Sequence, residues 1–213
     1  MRQLFLASSS PRRAELLRQI GVPFTLLNAP GVDESVYRHE SPSDYVRRLA
    51  LAKARTGWDS LRGRHPSLTA SAVVLGADTS VVLGDAILGK PRGATEAKSM
   101  LQRLSGREHR VLSAVSIYYE EQTSIAMSDT VVRFQDLTEA LIDQYVATGE
   151  AFDKAGSYGI QGFGAVLVES IQGSYSGVVG LPLTETMALL SVAGIPVWQA
   201  VDSHVSGLGK EKQ

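Results

Sequence analysis

The fold is decided by the stretch Leu4-Phe5-Leu6-Ala7-Ser8-Ser9-Ser10-Pro11-Arg12-Arg13-Ala14-Glu15-Leu16-Leu17. The apolar residues at its start predict a buried strand, and the three serines predict a tight loop. Ser10 suits the N-cap of a helix, and Pro11 suits its first position, where the missing N–H is no loss. Gly21 suits the C-terminal cap. This arrangement directs free backbone N–H groups at one spot.

Two arginines in the first turn of this helix break a local rule. Arg12 and Arg13 oppose the helix dipole, at a cost of roughly a few tenths of a kcal/mol each. Together with the hydroxyls of Ser8 and Ser10, they would make sense around a bound anion, because broken local rules are expected at functional sites. Two solvated arginines beside an ordinary cap explain the spacing equally well.

The composition excludes several classes of protein. With 213 residues, 44% apolar and 20% charged, the chain suits a globular protein. A net charge of −1 gives no basic field for a nucleic acid polymer, and the lack of cysteine excludes disulfides and zinc–thiolate sites. The chain begins with a strand, has no signal-peptide pattern and has no run of membrane-spanning length. We therefore expect a cytoplasmic protein that does not bind membranes.

The rest of the chain alternates between strand and helix patterns. Predicted strands cover residues 24–27, 72–75, 80–83, 86–88, 110–119, 125–134 and 165–171. One predicted helix follows the N-cap Ser41, one covers 94–104, one follows the N-cap Thr138, and the last begins after 180–182. The stretch 57–68 is predicted to be an exposed connection. These patterns predict an α/β fold with a mixed sheet. We expect residues 1–195 to form a single domain and 196–213 to be a C-terminal extension with a frayed end at 206–213.

Asp78 is the strongest candidate for acid–base chemistry. It follows a buried apolar strand, and open α/β sheets present ligands at strand ends. A structural carboxylate that caps a helix is the alternative. Asp33 and Glu34 are a weaker signal, because adjacent acidic residues in a loop are usually only solvated.

The lysines and a glycine-rich segment are further candidates. Lys53, Lys90 and Lys154 are individually more typical of surface lysines than of ligands, although Pro91 restricts the backbone of Lys90. The segment 151–164 combines Asp, Lys and Gln with several glycines, which favours a site loop over a merely flexible one.

Together these residues predict a polyphosphate site. Asp78 and Glu34 would supply oxygen ligands for a hard cation such as Mg²⁺, with Mn²⁺ or Co²⁺ as alternatives. Asp78 would deprotonate a water that attacks phosphorus, and basic groups would stabilise the developing charge. The candidate basic residues are Arg12, Arg13, Lys53, Lys90 and Lys154.

Several motifs resemble the Maf family of nucleotide pyrophosphatases, in that family's order, over about residues 3–192. They are Ala7-Ser8-Ser9-Ser10-Pro11-Arg12-Arg13, Gly76-Ala77-Asp78-Thr79, Gly89-Lys90-Pro91, Ser105-Gly106 with His109, Asp153-Lys154-Ala155-Gly156 through Gln161-Gly162, and Val179-Gly180-Leu181-Pro182-Leu183. The resemblance implies two lobes about a deep cleft, similar to inosine triphosphate pyrophosphatases. It also implies hydrolysis of a nucleoside triphosphate to the monophosphate and pyrophosphate with a divalent cation.

The resemblance also implies roles for single residues. The family's proton acceptor falls on Asp78, its phosphate-contacting basic residues on Arg13, Lys53 and Lys90, and its acidic loop residue on Glu34. The specificity positions are Arg12, Thr79 and Gln161, a set that is similar to the dTTP/UTP-hydrolysing branch. A role in removing modified nucleotides and a homodimer are further expectations.

The chain departs from the family pattern at Ala151, Ser113 and Gly177, where proline, threonine and asparagine are usual. None is a proposed catalytic residue, so the departures bear on loop rigidity. Two other classes stay open: a nucleotide-binding regulator of cell division, which would not need Asp78, and a phosphomonoesterase or kinase. The absence of Walker and kinase motifs weighs against the last class.

Overall fold

Strands and helices alternate along the chain in a computed structural model that describes residues 2–199. Within this range the strands are β1 (Gln3–Leu6), β2 (Phe24–Leu26), β3 (Ala72–Leu83), β4 (Ala86–Leu88), β5 (Glu108–Tyr119), β6 (Gln122–Phe134) and β7 (Val168–Gln172). The α-helices are α1 (Pro11–Gln19), α2 (Pro42–Arg64), α3 (Ala94–Leu104), α4 (Glu139–Ala147), α5 (Tyr175–Val179) and α6 (Leu183–Val192). Short 3₁₀ segments are Pro66–Ser71, Glu150–Asp153, Ala155–Ser157 and Phe163–Leu167.

The strands form one mixed sheet in the order β2-β1-β3-β5-β6-β7, and β4 also pairs with β3. β1 is parallel to β2 and β3, whereas all the other pairs are antiparallel. The predicted α/β class with a mixed sheet and flanking helices is therefore confirmed. The predicted long antiparallel pair (β5 and β6) and the hairpin turn at Gly84-Asp85 are also confirmed.

One edge of the central strand β3 is covered by two different partners. β1 pairs with Ala72–Leu75, and β4 pairs with Val81–Leu83, while β5 pairs along the opposite edge from Val74 to Val82. Within residues 2–199, no strand covers the stretch 76–80 on the first edge. The prediction that Asp78 follows the end of this strand is wrong, because β5 keeps β3 extended through the gap.

The two faces of the sheet are packed differently. Helix α2 covers one face, where Phe5 and Val74 meet Trp58. On the other face, α1 and α6 pack over one end of the sheet, and α3 and α4 pack over the other end. Two separate apolar cores therefore lie on that face, one at each end.

Helix α2 is longer than predicted. The sequence predicts an exposed connection at 57–68, but α2 continues to Arg64 and Gly57 is buried. A Cβ at Gly57 would lie 2.6 Å from the Cβ of Ala7 and 2.9 Å from Cγ1 of Val74. This glycine therefore permits a close approach of the helix to the sheet and does not end the helix.

The caps at Ser41 and Thr138 are confirmed, because their side chains accept hydrogen bonds from the backbone N–H groups of Asp44 and Leu141. The strand predicted at 165–171 begins only at Val168, after a 3₁₀ segment, and the short helix α5 was not predicted.

The described chain ends against the first helix. The backbone N–H groups of Trp198 and Gln199 donate to the carbonyls of Ile20 and Gly21, at 2.8 and 2.9 Å. The frayed end predicted at 206–213 lies outside the described residues. No helix in the described range is both long and apolar enough to cross a membrane.

Candidate functional site

A cavity of about 1210 Å³ lies at the gap in the edge of β3. Its wall includes Asp78 from one face of the strand and Thr79 from the other, so it wraps around the uncovered edge. All the site residues predicted from the sequence line this cavity. They are Ser8, Ser10, Arg12, Arg13, Glu34, Lys53, Asp78, Thr79, Lys90, Lys154 and Gln161. Their functional roles stay predictions.

The turn between β1 and α1 holds Arg13 through neutral acceptors. Nη1 of Arg13 donates to Oγ of Ser8 at 3.1 Å, and Nε donates to the carbonyl of Gly180 at 2.8 Å. Ser10 occupies the N-cap position, but its side chain makes no capping bond; its N–H donates instead to Oγ of Ser8 at 3.2 Å. Burial lowers the pKa of Arg13, although a guanidinium stays charged in proteins.

Arg12 points to the glycine-rich segment instead. Its Nη1 donates to Oδ2 of Asp153 at 3.0 Å, and Oδ1 of Asp153 accepts from Nζ of Lys154 at 2.6 Å. Lys154 also donates to the backbone carbonyl of Glu150 at 2.8 Å. One carboxylate therefore binds two of the candidate phosphate-binding cations.

Small residues bring α2 close enough for Lys53 to reach β3. A Cβ at Gly76 would lie 2.3 Å from the backbone nitrogen of Ala54 and 2.7 Å from the carbonyl of Ala50. Only glycine fits at this contact. Nζ of Lys53 lies 2.7 Å from Oδ1 of Asp78, whose residue is 7% exposed.

The same ammonium group binds Glu34, with Nζ of Lys53 2.7 Å from Oε1. Helix α2 also anchors the backbone on either side of Glu34. The hydroxyl of Tyr45 donates to the carbonyl of Glu34 at 2.9 Å, and Arg48 donates to the carbonyl of Ser35 at 2.8 Å. Asp33 instead accepts bonds from the backbone and hydroxyl of Ser35, so it shapes the loop.

The two carboxylates on Lys53 are shifted in opposite directions. Burial raises the pKa of Asp78 above its ordinary value, although Lys53 and Arg13 act against this. Burial acts in the same direction on Glu34, but Lys53, Lys90 and Arg13 outweigh it and lower its pKa. A pair of carboxylates whose environments separate their pKa values is typical of a divided chemical role.

These carboxylates also fit a hard divalent cation. Within residues 2–199, no group of three or more His, Asp or Glu side chains could hold a metal ion on its own. Mg²⁺ is usually bound by one or two carboxylates plus substrate phosphates and water, so Asp78 and Glu34 suit a cation that arrives with the substrate.

Thr79 belongs to a buried hydroxyl network on the opposite face of β3. Its Oγ1 lies 2.5 Å from Oγ of Ser113, which donates to the carbonyl of Gly177 at 2.8 Å. A Cβ at Gly177 would lie 2.5 Å from Oγ of Ser128. Two of the three departures from the family pattern, Ser113 and Gly177, therefore lie directly behind Thr79.

The glycine-rich segment forms the other end of the cavity, where Gln161 is exposed. Behind it, Tyr158 is 5% exposed, and its hydroxyl lies 2.9 Å from Nε2 of His109. The His109 ring packs edge-on against Phe134 and Tyr158, and burial lowers the pKa of His109 to about 4. His109 is thus a neutral core residue that supports this wall.

Several residues that organise the site were missed from the sequence. Tyr45 and Arg48 hold the acidic loop through its backbone. Gly180 lies in one of the family motifs, but the contact of its carbonyl with Arg13 was not predicted. None of these contacts has a sequence signal, because backbone acceptors are present at every residue. Asp153 could have been found, since it is part of the quoted Asp153-Lys154-Ala155-Gly156 motif.

Comparison with known proteins agrees with the motif pattern. Residues 3–193 match the family described as Maf-like protein. A protein of Alcanivorax borkumensis named dTTP/UTP pyrophosphatase is 56% identical over 196 residues, which cover 92% of this chain and 98% of that protein. A protein of Symbiobacterium thermophilum with the same name is 50% identical over 198 residues, covering 93% of this chain and 97% of that protein.

Proposed function

This chain belongs to the Maf family, and we propose that it hydrolyses dTTP and UTP to the nucleoside monophosphate and pyrophosphate. The two relatives described above carry this activity in their names and cover nearly the whole chain. One structural observation carries the proposal. Lys53 pairs with both Asp78 and Glu34, in the same cavity as the turn of α1 that bears Arg12 and Arg13.

The reaction breaks the bond between the α and β phosphates. Asp78 accepts a proton from a water molecule, whose oxygen forms a bond to the α phosphorus, and pyrophosphate leaves. The position of Asp78 supports this role, because its buried carboxylate lies in the cavity wall, 2.7 Å from Nζ of Lys53. Arg13, Lys53 and Lys90 stabilise the charge that develops on the phosphate oxygens.

When bound, a divalent cation such as Mg²⁺ would polarise phosphate oxygens and make water a stronger nucleophile. Asp78 and Glu34 are the residues that would hold it. Glu34 suits this role because its lowered pKa keeps it ionised, and its side chain is 56% exposed to the cavity.

The base is read at the far end of the cavity. The amide of Gln161 offers both a donor and an acceptor, which match the N3–H and a carbonyl of a uracil-type ring. Thr79 and Arg12 line the same cavity as Asp78 and Gln161, and Arg12 reaches the glycine-rich segment through Asp153.

A product assay tests the proposal directly. The purified chain is incubated with dTTP, UTP, CTP and GTP in the presence and absence of Mg²⁺, Mn²⁺ or Co²⁺. We expect pyrophosphate from dTTP and UTP only when a divalent cation is present. Orthophosphate as the first product would indicate a phosphomonoesterase, and binding without any product would favour the regulator.

A further inference from the structure

The glycine-rich segment is folded around the side chain of one acidic residue, Glu150. Its Oε1 accepts hydrogen bonds from the hydroxyl of Tyr145 at 2.9 Å and from the N–H of Gly164 at 3.0 Å. Its Oε2 accepts from the N–H of Phe163 at 2.8 Å. Glu150 therefore links helix α4 to the far stem of the loop.

The near stem is tied to the same centre. The N–H of Gly159 donates to the hydroxyl of Tyr145 at 3.1 Å, and that hydroxyl donates in turn to Glu150. Gln161 lies between the two anchors, two residues after Gly159 and two residues before Phe163. The backbone that carries Gln161 is thus fixed on both sides through one carboxylate and one hydroxyl.

The glycines of this loop are required by the close approach. A Cβ at Gly162 would lie 1.9 Å from Oε2 of Glu150, and one at Gly164 would lie 2.9 Å from the hydroxyl of Tyr145. The glycine-rich composition therefore reflects tight wrapping around Glu150 and not flexibility.

The bonds to Glu150 are made to a charged acceptor. Burial acts to raise the pKa of Glu150, but the N–H groups of Gly164 and Phe163, together with Tyr145, outweigh burial and lower it. Hydrogen bonds to an ionised carboxylate are roughly twice as strong as neutral ones. The anchor is consequently much stronger than a neutral side chain would provide.

We propose that Glu150 is a positioning residue for base selection: it fixes the loop so that the amide of Gln161 meets a uracil-type base. This inference rests on the proposed function of Gln161. Glu150 itself is not part of the cavity wall, so it acts through the backbone of the loop.

The decisive experiment is a double-mutant cycle between Glu150→Gln and Gln161→Ala, with kcat/KM measured for UTP, dTTP and GTP. Gln has the size of Glu, but its NH₂ group would face one of the N–H donors of the loop. Glu150→Gln alone should lower kcat/KM for UTP and dTTP by about tenfold or more, because the hydrogen bonds between Gln161 and the base are lost. The poor kcat/KM for GTP should stay unchanged. In the Gln161→Ala background, Glu150→Gln should lower kcat/KM almost no further.

Three further measurements separate positioning from general stability. Glu121→Gln, at an exposed turn between β5 and β6, is the matched control and should leave kcat/KM unchanged for every substrate. The rise in melting temperature caused by inorganic tripolyphosphate with Mg²⁺ should be the same in wild type and Glu150→Gln, because the phosphate end is intact. Tyr145→Phe removes the other half of the anchor and should reproduce the selective loss, which keeps the test valid if Glu150→Gln does not fold.

A uniform loss on all substrates, or a loss that simply adds to that of Gln161→Ala, would overturn the inference. A failure of the proposed function looks different, since the wild type would then prefer another triphosphate. The cycle run on that preferred substrate would still show coupling between Glu150 and Gln161 if the positioning role is correct, and would reject it if the two losses add.

Discussion

The two ends of the cavity are built by different physical means. At the proposed phosphate end, charged side chains converge from segments far apart in the sequence: Arg13 from α1, Lys53 from α2, Asp78 from β3 and Glu34 from a loop. At the proposed base end, the loop comes from one short stretch, residues 145–164, and is held by hydrogen bonds to Glu150 and Tyr145.

This difference has a consequence for what each end can do. Under the proposed function, the phosphate end places fixed charges around groups that every nucleoside triphosphate shares, so changes there should affect all substrates alike. The base end places one amide on a rigid backbone, so changes there should alter the choice between substrates. Mutations can therefore be sorted by whether their effect is uniform or selective.

The largest expected effect is at Asp78. Asp78→Asn keeps the size of the side chain but removes the proton acceptor, so kcat should fall by about 10²–10⁴ on every triphosphate that is hydrolysed. Lys53 keeps Glu34 as a partner, so the melting temperature should stay close to that of the wild type. Pyrophosphate release and a thermal melt give both values.

Asp129→Asn is the matched control for this variant, because Asp129 is also an ion-paired strand carboxylate, 2.9 Å from Nε of Arg110, but is exposed. Activity of Asp78→Asn within about threefold of the wild type would mean that the proton goes elsewhere, with Glu34 the next candidate.

The second effect concerns the wall of the base end and appears as pH dependence of stability. Burial lowers the pKa of His109 from 6.5 to about 4, so the unfolded chain takes up a proton before the folded one does. The stability of the neutral core is complete above pH 6.5 and is lost as the pH falls from 6.5 to about 4. The loss should amount to roughly 3 kcal/mol.

Urea unfolding at several pH values, compared between wild type and His109→Gln, measures this loss. The variant keeps a polar side chain beside Tyr158 but does not titrate in this range, so its stability should depend less steeply on pH. Parallel pH profiles for the two proteins would mean that His109 is already solvated in the fold.

The third effect is selective. Gln161→Ala should lower kcat/KM for dTTP and UTP by roughly tenfold, since an unpaired polar group on the base costs about 1–3 kcal/mol. The rates with GTP and CTP should barely change, because these bases do not match the amide in the wild type. Parallel kcat/KM values for the four nucleotides decide the matter: an equal drop on all of them would place Gln161 among the residues that only support the loop.

The fourth effect concerns the packing of α2 against the sheet, which positions Lys53. Gly57→Ala would push α2 away from Ala7 and Val74, at a cost of about 1–3 kcal/mol in the free energy of unfolding, and would carry Lys53 away from Asp78. Gly63→Ala in the same helix is the matched control. It has no neighbour within 4 Å, so it should stabilise the helix by about 0.5–1 kcal/mol. Similar stabilities for both variants would contradict the tight packing at Gly57.

The sequence predicted which charged residues share the cavity, because charge is visible in the residue type. Arg13, Lys53, Asp78 and Glu34 all line it, although the sequence does not show which carboxylate pairs with which cation. The gap in the edge of β3 could not be predicted, since the pattern that ends the apolar run at Gly76 looks like the end of a strand. It is instead the point where one partner strand ends and the edge becomes free.

Glycine and serine were the least reliable indicators of helix ends, because each residue type occurs in several kinds of local structure. Gly57 looked like a helix end and is a packing contact, and Ser10 occupies a cap position without making a capping bond. Glu150 was missed altogether, because it binds backbone groups whose positions follow only from the folded loop. The two ends were therefore predicted unequally: side-chain chemistry can be read from the sequence, whereas backbone anchoring cannot.

The smallest expected effect lies where the two ends of the cavity meet, at Asp153. Its carboxylate binds both Arg12 and Lys154, so it competes with the phosphates that these cations are expected to bind. The Asp153 side chain is 62% exposed, so its ion pair with Arg12 should contribute less than about 1 kcal/mol to stability. Asp153→Asn should therefore leave the melting temperature nearly unchanged. Because it frees two cations from competition, it should lower KM for dTTP and UTP by up to about fivefold, with kcat unaltered.

Asp143→Asn, which breaks the exposed pair with Lys98, is the matched control and should change neither value. A rise in KM would reverse the interpretation: Asp153 would then hold Arg12 and Lys154 in place for the substrate, and the link between the two ends would be part of the binding site.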